Sequence, residues 1–366
     1  MSIAKILAVA SLSLVLAGPV RAGDKGAPSA KDVAELVTKA KAYLKSSQGA
    51  DGSFSPKIAG PGVTAVVIAG LLSNGAGPED PVVAAGLKYL EKQVQKDGGI
   101  YSKALANYVT SVAVMAFKEA NTKGQYDAIL KNAAEFLKKM QQAGAEEDLK
   151  FGGFGYDSKS RADSSNTNFA VEALLAAGVD KNDPAIKNAL KFLGRCQNLP
   201  GESNDQPFAK KASKDDLGGF VYNPSDVDSK RDKTETGGLR SLGGMTYGGL
   251  KSFLYAGVKK DDPRVKAAVA WIRRHYTLEE NTGLGKAGLY YFYQTFAKAM
   301  ELFGEDPFVD AKGTKHAWRT ELYNALKSRQ QENGSWVNSG DRTFGEFNAD
   351  LSTGFALLAL SHVRSK

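Results

Sequence analysis

Two kinds of helical stretch alternate along the chain. The first is amphipathic, with apolar residues three and four apart and Lys and Glu between them, as in Val33, Leu36, Val37, Ala40, Tyr43 and Leu44. The second is short and apolar almost all round, as in Thr64 to Leu72, Val109 to Phe117, Phe169 to Leu175 and Leu351 to Leu360. Between the two stands a glycine turn with an aromatic residue or its stand-in, at Phe54, Tyr101, Phe154, Phe220, Leu284 and Trp336. Those positions lie 47, 53, 66, 64 and 52 residues apart, so one unit recurs six times.

A helix with one wet face followed by a dry helix, six times over, predicts an all-α (α/α)6 toroid. Six outer helices expose their polar faces, and six inner helices are buried on most sides. A chain of 366 residues ordinarily divides into domains, but a repeat array escapes that limit because each unit packs on its neighbours. Residues 23–366 are therefore expected to form one toroid domain. A polar insertion at about 198–243 interrupts the fourth unit and carries Lys210-Lys211, Asp215-Asp216 and Lys230-Arg231-Asp232-Lys233. Long insertions of this kind tend to be functional or disordered. Its place in the order puts it beside the third and fourth inner helices, where it could cover the mouth of the ring.

The inner helices are predicted to gather their N-termini at one mouth, where unpaired backbone N–H groups favour anions or lone pairs. Thr64, Thr110, Asn166-Thr167, Thr246 and Ser352-Thr353 stand near each predicted start, as capping residues would.

The first 22 residues read differently. Lys5 precedes an apolar run from Ile6 to Ala17, and Val20-Arg21-Ala22 offers a small-x-small cleavage site. That is a signal-peptide pattern, too short to span a bilayer, and it predicts cleavage after Ala22 and a secreted or periplasmic protein. Cleavage lowers the net charge from +8 to +6, since Lys5 and Arg21 leave and no acid does. The remaining positive charges are interleaved with acids, which argues against nucleic-acid binding. No later stretch predicts a transmembrane helix. Cys196 is the only cysteine, so no internal disulfide forms, and His275, His316 and His362 show no ligand spacing. No metal or other cofactor is expected.

The run of helix, Gln and Gly-x-aromatic resembles the QW repeats of the terpenoid cyclase and protein prenyltransferase superfamily, also called the prenyltransferase/squalene oxidase repeat. The best copies are Gln330-Gln331-Glu332-Asn333-Gly334-Ser335-Trp336 and Gln48-Gly49-Ala50-Asp51-Gly52-Ser53-Phe54, and the resemblance covers the mature chain. It implies the same toroid and a central cavity for an apolar ligand, an isoprenoid at the level of the family. Squalene–hopene-type cyclases begin one inner helix with Asp-x-Asp-Asp-Thr, whose middle acid protonates an alkene, a step that needs a strong, dry acid. The matching frame is Asp163-Ser164-Ser165-Asn166-Thr167, in which Ser165 replaces the proton donor and Asn166 its neighbour. Prenyltransferases hold zinc with Asp, Cys and His, for which no matching set exists. The thioester domain of complement-like proteins, a third relative, needs Cys and Gln three apart, but Leu199 stands three after Cys196.

Asp163 and Asp350, each at the opening of an inner helix, are the candidates for a relocated catalytic acid. Asn166, Asn168 and Glu172 on the third inner helix, Tyr247 on the fourth, and Tyr290, Tyr291 and Tyr293 on the fifth are candidates to bind a ligand. Aromatic walls of this sort shield carbocations in the superfamily. Three functions stay open. The chain binds an apolar ligand with its proton-donor motif degraded; it is an active cyclase or prenyltransferase-type enzyme; or it is a scaffold that holds a protein or glycan on an end face.

Overall fold

Capping and proline signals set the outer layer. Ser29 accepts from Asp32 N, and the Asp32 carboxylate accepts from Ser29 N, opening α1 (Ala30–Ser47) on a reciprocal cap. Three further outer helices open on Asp-Pro: α4 (Pro81–Glu91), α8 (Pro184–Arg195) and α11 (Pro263–His275). In each, the Asp side chain accepts from the second helical amide, and Pro occupies the first position, where no donor is needed. α6 (Asp127–Met140) and α13 (Trp318–Lys327) complete the outer six.

The apolar stretches form the inner six: α3 (Pro61–Ser73), α5 (Ala106–Ala120), α7 (Ser164–Ala176), α10 (Gly243–Tyr255), α12 (Leu289–Phe303) and α14 (Ala349–Leu360). Each packs on the next in chain order, and α14 returns to pack on α3, closing the ring. Closure is tight at Gly354, where an added Cβ would lie 2.8 Å from Val66 Cγ1. The molecule is a mostly helical, all-α toroid in this computed structural model, which describes residues 28–364. The expected signal peptide, 1–22, lies outside the described residues. Two short helices, α2 (Pro56–Ala59) and α9 (Pro207–Lys210), lie in connecting segments. A two-stranded hairpin, β1 (Phe308–Val309) with β2 (Lys315–His316), precedes α13 and had no signal in the pattern of apolar positions.

The repeat motif has a mechanical explanation. Gln48, Gln141, Gln197 and Gln330 each donate from Nε2 to the carbonyl of their own turn glycine and to a carbonyl of the next outer helix. The second acceptors are Val82, Ala185, Arg264 and Leu36, at 2.8–3.0 Å. Gln330 therefore staples the last outer helix to the first. The turn glycine passes under the same neighbour. Gly334 has φ +89°, and a Cβ there would meet Lys39 O at 2.3 Å.

The threonines read as caps lie inside the helices instead. Thr64, Thr110, Thr167, Thr246 and Thr353 each accept the backbone N–H of the turn, from Phe54, Ile100, Phe154, Phe220 and Trp336, at 2.9–3.0 Å. They fasten turn to inner helix. Capping falls to other residues, among them Asp163 on α7 and Asn348 on α14.

Candidate functional site

The first turns of α5, α7, α10, α12 and α14 surround a cavity of about 630 Å³ at one mouth of the ring. Four rings from four inner helices make its wall in a linked series. Tyr108 meets Phe169 edge-on at 5.3 Å, Phe169 meets Tyr291 at 5.9 Å, and Tyr291 meets Phe355 edge-on at 6.0 Å. Met245 and Leu351 add aliphatic wall. Three segments build the rim: Lys57 and Ile58 on α2, Tyr222 and Arg231 on the insertion, and Arg342, Phe344 and Phe347 on the loop before α14.

The insertion is fastened to the site. Ser164 N donates to Tyr222 O at 2.9 Å, and Asn223 Nδ2 donates to Ala162 O at 2.7 Å. Ser165 lines the cavity, its hydroxyl donating to the Tyr291 hydroxyl at 3.1 Å. Asn166 lines it too, held from behind because its backbone N and its Nδ2 both donate to Asp163 at 2.8 Å. Burial pushes the Asp163 carboxyl up to about 6, although bonds from Asn166 and Tyr222 favour its charged form. A raised value means a weaker acid, the opposite of what alkene protonation requires.

Of the nine candidate residues, Asn166 and Tyr291 border the cavity. Asp163 stands one layer behind the wall. Asp350 faces α1 and the first turn, accepting from Tyr43 at 2.9 Å and Ser55 at 2.5 Å. Asn168 is buried against α10, where its Oδ1 accepts from Ser252 at 2.8 Å. Tyr247 packs between Phe292 and Phe296, Tyr290 packs on Tyr293, and Tyr293 donates to Leu278 O at 2.5 Å. Those three point away from the ring centre. Glu172 is buried between Lys251 and Lys298, which contact its two oxygens. Burial alone would raise its carboxyl, but the two ammonium groups hold it well below the usual range.

Glu346 escaped the sequence reading. It is fully buried, accepts from Tyr291 N at 2.7 Å and Asn338 Nδ2 at 2.9 Å, and burial raises its carboxyl to about 7. With Asp341, which accepts from Gly288 N, it caps α12 from a different unit. The available signal was negative: α12 opens on Gly288-Leu289 with no capping side chain of its own, so its free amides needed distant acceptors.

Among the described residues no carboxylate, histidine or thiol lines the cavity. No group of three or more His, Cys, Asp or Glu is arranged to hold a metal there or elsewhere among them. No described helix is long and apolar enough to cross a membrane.

These features define a helical toroid with a ligand-sized, aromatic chamber at one mouth. A model of the squalene-hopene cyclase C-terminal domain matches residues 57–213. No curated protein matches the sequence. Solved structures share the fold, and two of them illustrate the likeness. A protein from Actinoplanes is 15% identical over 90% of this chain and 99% of its own, with TM-score 0.53. A D-mannose isomerase is 12% identical over 92% and 97%, with TM-score 0.56. The type II terpene cyclase MstE from Scytonema aligns over 91% of this chain and 98% of its own at 14% identity, with TM-score 0.36.

Proposed function

We propose that this is an exported protein that binds an apolar ligand, an isoprenoid by analogy with the superfamily, in the chamber at the N-terminal mouth. One observation carries this reading. Ile58, Tyr156, Phe344 and Phe347, four of the six exposed large apolar side chains among the described residues, border that one cavity. Apolar exposure concentrated at a cavity marks a binding site, whereas scattered exposure marks nothing. Ser165, in the frame of the proton donor, supplies a hydroxyl held by Tyr291, which supports binding without proton-initiated cyclisation.

Purified mature protein is incubated with squalene and with polyprenyl diphosphates, then followed by thermal shift and by product analysis. A rise in melting temperature without product is expected. No shift with any isoprenoid rejects the ligand class. Export is checked by sequencing the N-terminus of protein recovered outside the cytoplasm, which is expected to start at Gly23.

A working enzyme is the second reading. Tyr222 lines the cavity and bonds Asp163 behind it, so the buried acid has one hydroxyl between itself and a ligand. Turnover lost in Asp163→Asn without loss of stability favours it. The scaffold reading has less support, because the chamber is open where a packed one was needed.

A further inference from the structure

We propose that the ligand is amphipathic: an apolar body in the chamber, and a single anionic head, carboxylate or phosphate, at the rim beside Lys57 and Arg342. This inference rests on the binding reading above.

The chamber wall is aromatic and aliphatic, yet its rim carries Lys57, Arg231 and Arg342 and no acid. Arg231 is held by Asp232, at 2.9 Å from Nε to Oδ1. Lys57 and Arg342 are exposed, and neither makes an ion pair or side-chain hydrogen bond among the described residues. The acids nearby are engaged elsewhere. Asp341 accepts from Gly288, Thr343 and Phe344, Glu346 from Tyr291 and Asn338, and Asp163 from Asn166. Five inner helices also turn their N-termini toward this mouth, with partial positive charge that those acids offset in part.

A ligand with a cationic head would meet like charge at the rim. A pure hydrocarbon would use the wall and leave the two cations without a partner at the edge of an apolar site. An apolar tail with one anionic end satisfies both surfaces, since charges in a part-dry mouth act more strongly than in open water.

The test compares dodecanoate, dodecyl phosphate and dodecanol, below their aggregation concentrations, by calorimetric titration of the mature protein at low ionic strength. Both anions are expected to bind about tenfold more tightly than the alcohol. The Lys57→Ala/Arg342→Ala double variant is expected to lose that margin and still bind dodecanol, which also shows that it is folded. At about 1 M salt the margin shrinks in the unchanged protein. Whichever anion binds more tightly identifies the head group. Dodecanol binding as tightly as the anions, or a margin that survives the double substitution, overturns the head-group proposal and leaves the apolar-ligand reading standing. No binding by any of the three overturns both.

Discussion

Helix α7 passes through two regions of opposite design. At its first turn, Ser165 and Asn166 face an open chamber, with Phe169 forming the wall one turn on. One turn further, Glu172 is closed in by Lys251 of α10 and Lys298 of α12. The upper region leaves polar groups at the edge of space. The lower one fills the space with charge, and Lys251 lies 5.9 Å from the centre of the Phe169 ring, on the far side of the chamber wall. The same apolar helix thus supports a binding level and a sealing level. What separates them is the neighbouring helices, which bring lysines at one level and aromatic rings at the other.

Breaking the lower region should have the largest effect. Glu172→Gln leaves two buried ammonium groups uncompensated, a change expected to cost about 3–5 kcal/mol in chemical denaturation. Replacing all three residues by Met should recover most of that loss, since well-packed apolar residues often match a buried ion cluster. The pH dependence follows from the depressed carboxyl. Its contribution is present above the unfolded value of about 4.3 and is lost as pH falls toward the lower folded value. The wild type should lose stability below about pH 4 more steeply than the triple Met variant. Equal acid sensitivity of the two would remove Glu172 from the account.

Glu346 should show the opposite sign. Its carboxyl is raised to about 7, so its protonated form is favoured in the folded state. That contribution is complete below about pH 4 and is lost as pH rises through 7, a swing of about 3 kcal/mol. Glu346→Gln keeps an acceptor for Tyr291 N and cannot ionise. Its stability relative to wild type should therefore improve steadily from about pH 4.5 to 7.5 in parallel thermal melts. A flat difference would place the ionisation elsewhere.

The fold was legible because each repeat repeats its own physics. Gln, turn glycine, apolar residue and Thr recur at spacings tied to staples between neighbours, and those staples build the ring. The chamber was legible only in part. Apolar inner helices look alike in one dimension, so Tyr290, Tyr291 and Tyr293 could not be told apart until the helix was rotated into the ring. Tyr291 points inward, and the other two point outward. Glu172 was marked as an acid in a dry helix, but its lysines lie 79 and 126 residues away. Lys251 and Lys298 stand in stretches of their own that gave no hint of pairing. Phe344 and Phe347, the most conspicuous rim residues, sit in a loop with no periodicity, where an apolar side chain signals nothing until its neighbours are known.

A smaller effect is expected at the wall. Tyr291→Phe removes the partner of the Ser165 hydroxyl and keeps the ring between Phe169 and Phe355. About 1 kcal/mol of stability should be lost, with ligand affinity nearly unchanged if binding rests on the rings. An affinity loss as large as that of Tyr291→Ala would transfer the binding role to the hydroxyl pair.

The smallest effect on ligand affinity is expected at Asp163, where the binding and enzyme readings part most cleanly. Asparagine caps helices about as well as aspartate, so Asp163→Asn keeps an acceptor for Asn166 N and, below about pH 4, should change stability by less than about 1 kcal/mol. The raised carboxyl gives that difference a direction. Its contribution is present below about pH 4 and is lost by the time pH has risen through 6, so the variant should gain about 3 kcal/mol on the wild type over that interval and hold the lead above it. A chamber that only binds has no use for the proton, and ligand affinity should be the same in both proteins. If isoprenoid turnover is detected and this substitution abolishes it without lowering the melting temperature, Asp163 acts through Tyr222 as an acid. The upper region of α7 would then be a reaction chamber instead of a binding one.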